Sequence, residues 1–356
     1  MDFTPTEEQR ALQSAVRDLA ASLTPKDTGS GAPAGPQPFD SDAWRKLADM
    51  GLLGLAFAED KGGFGASAIE VTLAAVELGA ARVALPYADA MAAAAALDAA
   101  GSPLLADVVS GEKVVLTAFG ESGASWAPTA SARTASTSGT ELTGEARGNV
   151  DLSAADAVIT TAGTGDDLGV YLVESPSVDG PKVTLAGARA TRLGGREVLD
   201  AALALGNIAQ CGEALGAMGA ALALTVEYLK TRKQFGVPIM RFQALTQRAA
   251  DMYVGVELTR SAVLYAAMAL AGPGEGDDAL DVDAVIARTK YLVGTYGRLV
   301  GQEAIQLHGG IGMTAEYAVG HYTSRLATIE RTFGDTRQHL ASLAANVGEH
   351  TSVDVV

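Results

Sequence analysis

The sequence predicts a mostly α-helical protein with a small central β-domain between two helical regions. Long, proline-poor runs with apolar residues at helical spacing fill both ends of the chain. Between them, from Lys113 to about Leu205, short apolar runs are cut by Gly, Ser, Asp and Thr, the pattern of strands and turns. The expected organisation is an N-terminal helical domain over 1–111, a β-domain over 112–205 and a C-terminal helical region over 206–356. At 356 residues the chain is long enough for several domains with a substantial core. It is 48% hydrophobic but only 5% aromatic, so Ala and Gly supply much of the bulk, which favours closely packed helices.

Thr4-Pro5-Thr6-Glu7 predicts a helix start, with Thr4 as cap, Pro at the first position and Glu three residues after the cap. Leu12, Ala15, Val16, Leu19 and Leu23 then recur at helical spacing. Residues 24–38, rich in Gly, Pro and Ser, read as a loop. Helices follow over 41–50, 66–81, 89–100 and 104–110. Strands are expected at 113–117, 157–161, 169–173 and 182–185. Helices resume over 206–230, 242–271, 282–307, 315–329 and 336–347.

Composition excludes several classes of function. A formal net charge of −16 argues against nucleic-acid and anionic-membrane partners, both of which select basic faces. The single cysteine, Cys211, rules out an internal disulfide and a cysteine-rich zinc site; in its apolar helix it reads as a buried thiol. No basic stretch leading into an apolar one opens the chain, and Glu213 and Glu227 interrupt its longest Ala/Leu-rich run. A cytoplasmic protein is the expectation.

The chemistry concentrates where two long helices meet, at Arg232-Lys233-Gln234-Phe235-Gly236-Val237-Pro238. Helix termination explains many of these residue types. Cations suit the negative end of a helix, Gly236 suits a left-handed cap, and Pro238 stops continuation. Ligand binding explains them too. Arg232 offers a planar fork for phosphate, Gln234 a two-way amide and Phe235 a flat face for a ring.

The order Arg-x-Gln-Phe-Gly, followed by Phe242-Gln243, resembles the acyl-CoA dehydrogenase family. So does Gln306-Leu307-His308-Gly309-Gly310-Ile311-Gly312 with Glu316-Tyr317, similar to the family's Gln-x-x-Gly-Gly-x-Gly run. Glu59-Asp60-Lys61-Gly62-Gly63-Phe64-Gly65 is similar to its loop after the N-terminal helices. The resemblance implies an N-terminal helical domain, a central β-barrel and a C-terminal four-helix bundle. It implies FAD as cofactor, an acyl-CoA substrate and electron-transfer flavoprotein as acceptor. In such chemistry a carboxylate removes the α-proton, the flavin takes the β-hydrogen as hydride, and hydrogen-bond donors steady the thioester oxygen. By the same resemblance Arg232, Gln234, Phe235, Gln306, Gly309 and Gly310 would contact the FAD of a neighbouring subunit, and Thr336 and Gln338 are further FAD contacts. His308, inside the second motif, reads as a satisfied histidine near a helix end.

The chain also departs from the family pattern. Where relatives carry Leu-Thr-Glu-Pro and then Gly-Ser-Asp, it has Leu116-Thr117-Ala118-Phe119 and then Ser125, so Thr117 and Ser125 are the surviving polar candidates. The family's aromatic-Ile-Thr run is absent from Gly144–Asp151, and Trp126 is either a substitute ring or a core residue. At the usual Glu-Gly-Thr of the catalytic base stands Gly334-Asp335-Thr336. Asp335 is therefore the candidate base, or else an N-cap for the following helix. The alternative base position falls near Gly206, where Glu213 is the nearest carboxylate.

The half-site that reaches a neighbour's FAD is thus kept, and the half-site for the chain's own flavin and base is eroded. This looks like the smaller subunit of actinobacterial heterotetrameric (α2β2) acyl-CoA dehydrogenases, which act on bulky CoA thioesters, steroid-derived ones included. A homotetramer using Asp335, a non-catalytic scaffold subunit, and a flavin oxidase or monooxygenase on the same fold are the alternatives.

Overall fold

The computed structural model describes residues 4–25, 38–121, 128, 133–136, 139–272, 281–314, 316–345 and 347. They fall into two compact units that divide between Glu213 and Ala214. Ser125 and Trp126 lie outside the described residues.

The first unit opens with helices α1 (Glu7–Leu23), α2 (Ser41–Asp49), α3 (Ala68–Ala80), α4 (Tyr87–Ala99) and α5 (Leu104–Val109). The cap of α1 is Thr6, not Thr4. Its hydroxyl accepts the Gln9 N–H at 3.2 Å and the Gln9 side chain accepts the Thr6 N–H at 2.9 Å. This reciprocal box satisfies two backbone donors at once, which a Thr4 cap could not do. Val16 and Ala20 carry the buried face of α1, while Ala15 points outward. A two-pronged Arg17–Glu77 pair, both bonds 2.9 Å, ties α1 to α3. Nearly every residue of α4 is buried, which its run of alanines permits without a bulky partner surface.

Two four-stranded sheets follow. The first has the order β1 (Val115–Thr117), β4 (Ala157–Ala162), β5 (Gly169–Glu174), β8 (Thr191–Gly194); β1 pairs parallel to β4 and the rest are antiparallel. β4 is buried throughout, as a strand covered on both faces must be. The second sheet has the order β2 (Thr134–Ala135), β3 (Glu141–Arg147), β7 (Lys182–Arg189), β6 (Ser177–Asp179). Its strand β3 buries Leu142 and Ala146 in alternation, so one face of this sheet meets solvent. Among the described residues, a bridge between Gly120 and Arg147 links the segment after β1 to β3. Beside it Arg133 is 1% exposed and donates to the carbonyls of Thr161 (2.6 Å), Gly120 (2.9 Å) and Phe119 (3.3 Å). Burial pushes its pKa down to about 10, opposed by Glu121. A charge can be buried here because backbone oxygens surround it.

Helix α6 (Arg196–Thr231) begins ten residues earlier than the expected Gly206. Its apolar window is 78% buried within the protein, and Cys211 lies inside it, fully buried. In the second unit α6 is followed by the two-residue strands β9 (Lys233–Gln234) and β10 (Val237–Pro238), then α7 (Gln243–Ala271), α8 (Val282–His308), α9 (Ala318–Arg331) and α10 (Thr336–Ala345). Helix α8 is the hub, packing against α7, α9 and α10. Gly294, Gly297 and Gly301 form the stripe on which α9 and the start of α10 lie. A Cβ on Gly294 would stand 2.1 Å from Thr336 Oγ1, and one on Gly301 3.2 Å from the Thr323 methyl. Small residues at this spacing let helix backbones approach closely.

Candidate functional site

The corner after α6 is a tight hairpin. Val237 pairs with Gln234 and Pro238 with Lys233, which leaves Phe235 and Gly236 as the two turn residues. Their φ angles are +53° and +80°. Positive φ at both positions marks the type I′ turn, whose usual first residue is Asn, Asp or Gly. A phenylalanine there costs about 1–2 kcal/mol of backbone strain. The residue is nevertheless 89% exposed, and among the described residues its ring meets the edge of Phe242, with centroids 5.9 Å apart. The fold thus spends strain on an aromatic residue and draws no burial from it, the pattern expected of a ring held out for a ligand or partner.

Arg232 closes the last turn of α6 through its N–H to the Tyr228 carbonyl, and its own carbonyl accepts from Ile239 at 2.9 Å. Its side chain is exposed. Among the described residues no hydrogen bond or ion pair engages the side chains of Arg232, Gln234 or Gln306.

One helical turn before Arg232, Tyr228 stacks on His308 at 4.5 Å between ring centroids. Tyr317 closes on the same imidazole at 4.9 Å. This aromatic cluster brings the end of α6 to the end of α8. His308 Nδ1–H donates to the Ala304 carbonyl at 2.8 Å. Nε2 is buried without a well-formed hydrogen bond, although the Leu224 carbonyl bears on the ring. The histidine is therefore only half satisfied, where the sequence suggested a fully satisfied one. Burial pushes its pKa down. Directly after it, Gly309 at φ +64° and ψ −142° takes a conformation essentially confined to glycine. A Cβ on Gly309 or Gly310 would meet nothing within 4 Å, so their backbone is open to an approaching group. The Tyr228–His308 contact thus brings the helix turn that ends at Arg232 to the helix end that leads into Gly309 and Gly310.

Asp335, Thr336 and Gln338 are elsewhere. Thr336 packs on α8 at Gly294, fourteen residues or about 20 Å of helix before His308. Asp335 accepts the Gln338 N–H at 2.8 Å, and the Gln338 side chain accepts the Asp335 N–H at 2.9 Å. This is the capping box of α10. The Thr336 hydroxyl donates to Glu330 at 2.9 Å. All three side chains are engaged within the chain. So is Thr117, which is fully buried and donates to the buried Asp89 at 2.8 Å. The aromatic cluster was not singled out from sequence. Tyr228 and His308 lie too far apart in the chain for local patterning to pair them; the Gly-Gly run beside His308 was the available signal.

An exposed cationic and aromatic elbow and an open Gly-Gly backbone carry the chemistry that an anionic, ring-bearing ligand would use. Comparison with known proteins places the chain in a family. Residues 6–107 match the acyl-CoA dehydrogenase N-terminal domain and residues 194–348 its C-terminal domain. Acyl-CoA dehydrogenase FadE27 of Mycobacterium tuberculosis is 30% identical, over 98% of this chain and 99% of its own length. Among solved structures, the ChsE4-ChsE5 complex from Mycobacterium tuberculosis contains a chain that matches with a TM-score of 0.85 at 28% identity, covering 99% and 100% of the two chains. A variant of the Tcur3481-Tcur3483 steroid ACAD matches with a TM-score of 0.83 at 26% identity, covering 96% and 98%. The chain belongs to the acyl-CoA dehydrogenase family, and the cofactor of that family is FAD.

The residues present fit part of that cofactor. A free guanidinium, a held-out ring and open glycine backbone suit the diphosphate and the rings of a dinucleotide.

Proposed function

We propose that this chain is the smaller subunit of a heteromeric, FAD-dependent acyl-CoA dehydrogenase. It lends its elbow to FAD held mainly by a larger paralogous subunit in an α2β2 assembly. One observation carries the reading: among the described residues the Arg232 side chain has no hydrogen-bond or ion-pair partner and Phe235 meets only the edge of Phe242, while Asp335, the chain's candidate base, is engaged in a helix cap. Arg232 would take the diphosphate through charge-assisted hydrogen bonds, with Gln234 and Gln306 adding amide contacts. Phe235 would stack on a ring, and Gly309 and Gly310 would let backbone approach the adenosine diphosphate part. FAD supplies the acceptor for the β-hydrogen of an acyl-CoA thioester, and the carboxylate that removes the α-proton comes from the partner.

Thr336 packs on α8 about 20 Å of helix before His308, which supports a division of labour between the start of α10 and the Gly309–Gly310 backbone. Two of the structural matches are themselves two-component assemblies by name, and one is called a steroid ACAD, which supports a bulky steroid-derived CoA ester as substrate. Co-expression with a larger acyl-CoA dehydrogenase paralogue that carries the missing carboxylate tests the proposal. The pair is expected to purify yellow and to turn over acyl-CoA with electron-transfer flavoprotein or an artificial acceptor, and this chain alone to do neither. A yellow, active homotetramer of this chain alone would overturn it.

A further inference from the structure

We propose that His339 plugs the place where a base of this chain's own would stand, and so decides which subunit carries the carboxylate. The inference rests on the reading that the partner supplies the base. Gly334 lies at φ +97°, and a Cβ there would stand 2.7 Å from His339 Nε2 and 3.3 Å from its Cδ2. A real Cβ essentially never comes within 2.7 Å of such an atom, so a side chain at 334 requires the imidazole to shift.

The imidazole is held. Its Nε2–H donates to the Phe333 carbonyl at 3.1 Å. Phe333 is itself at φ +53° and 1% exposed, an anchor that fixes the direction of the following glycine. On the near side Lys290 reaches from α8 and donates to the carbonyls of Thr332 (2.6 Å) and Ile329 (3.2 Å), fixing the end of α9. On the far side the Asp335–Gln338 box fixes the start of α10. Burial and the Lys290 ammonium keep the ring neutral, which leaves Nε2 as the proton carrier toward Phe333. The same glycine that lacks a carboxylate is thus covered by a side chain that no carboxylate could share space with.

The test is a stability cycle on the chain co-expressed with its partner: Gly334→Ala, His339→Ala and the double variant, compared by thermal melting. Gly334→Ala is expected to lower the melting temperature much more with His339 present than in the His339→Ala background. If Ala costs the same in both backgrounds, or both variants fail to fold alike, strain at the positive φ excludes the side chain and the plug is refuted. His339→Ala alone is expected to leave turnover of the assembly in place; a correctly folded assembly that loses turnover would show that His339 serves the reaction, overturning its role as a plug. The melting cycle reads sterics within this chain and stands whether or not the partner proves to hold the base.

Discussion

Phe235→Asn separates a residue kept for the fold from one kept for a partner. Asn tolerates the left-handed region and Asn-Gly is a favoured type I′ pair. The substitution therefore relieves about 1–2 kcal/mol of strain at φ +53°. It forfeits an exposed edge contact with Phe242, centroids 5.9 Å apart, worth about 0.5–1 kcal/mol. The net effect on stability lies between zero and a gain of about 1.5 kcal/mol, a rise in melting temperature of ~2 °C at most. Retention of FAD moves the other way. Covering about half of the ring, roughly 80 Å² at about 25 cal/mol per Å², contributes about 2 kcal/mol, or roughly a 30-fold change in flavin dissociation. The assay is thermal melting of the variant beside flavin released on dilution of the assembled enzyme. A marked loss of stability would show that the ring serves this chain's own fold; unchanged flavin retention would show that it serves no cofactor.

Arg232→Ala is expected to weaken flavin binding by about 1.5–3 kcal/mol, seen as lower flavin content of the purified assembly with its melting behaviour preserved. Asp335→Ala should destabilise α10 by about 1 kcal/mol through loss of the cap, whereas Asp335→Asn keeps a capping side chain and most of the turnover; a large fall in turnover with FAD still bound would make Asp335 the base. His339 also makes stability depend on pH. Its pKa is pushed down to about 4 by burial and by Lys290, against 6.5 when unfolded, so the unfolded chain binds more protons between these values. The stability concerned is complete above pH 6.5 and is lost as pH falls toward 4, by at most about 3 kcal/mol because the ring is only partly enclosed. Melting curves at pH 7 and pH 4.5 check this; in His339→Ala the acid-induced loss should shrink.

Helix position and type were legible from periodicity, and the capping role of Asp335 from the aptness of Asp at the start of the helix that follows. What stayed hidden depends on contacts between distant residues or on backbone angle. The first turns of α6 read as part of the β-region because Arg196–Leu205 follows directly on short strands. Arg133 gives no local sign that five oxygens await it between two sheets. Phe235 reads as a ring at a turn, but only the hairpin register shows that it is held at positive φ with its face in solvent. The absent carboxylate at Gly334 was visible as a departure from pattern. That His339 fills the room it would need was not, because the imidazole reaches back from the second turn of the next helix.

The most direct measurement is the structure of the assembly formed with the larger partner subunit, with FAD bound. The account predicts the Arg232 guanidinium within hydrogen-bond reach of the diphosphate of a flavin whose isoalloxazine lies in the partner subunit, with Phe235 against a cofactor ring. An elbow facing open solvent, or flavin bound wholly within one chain, would contradict it.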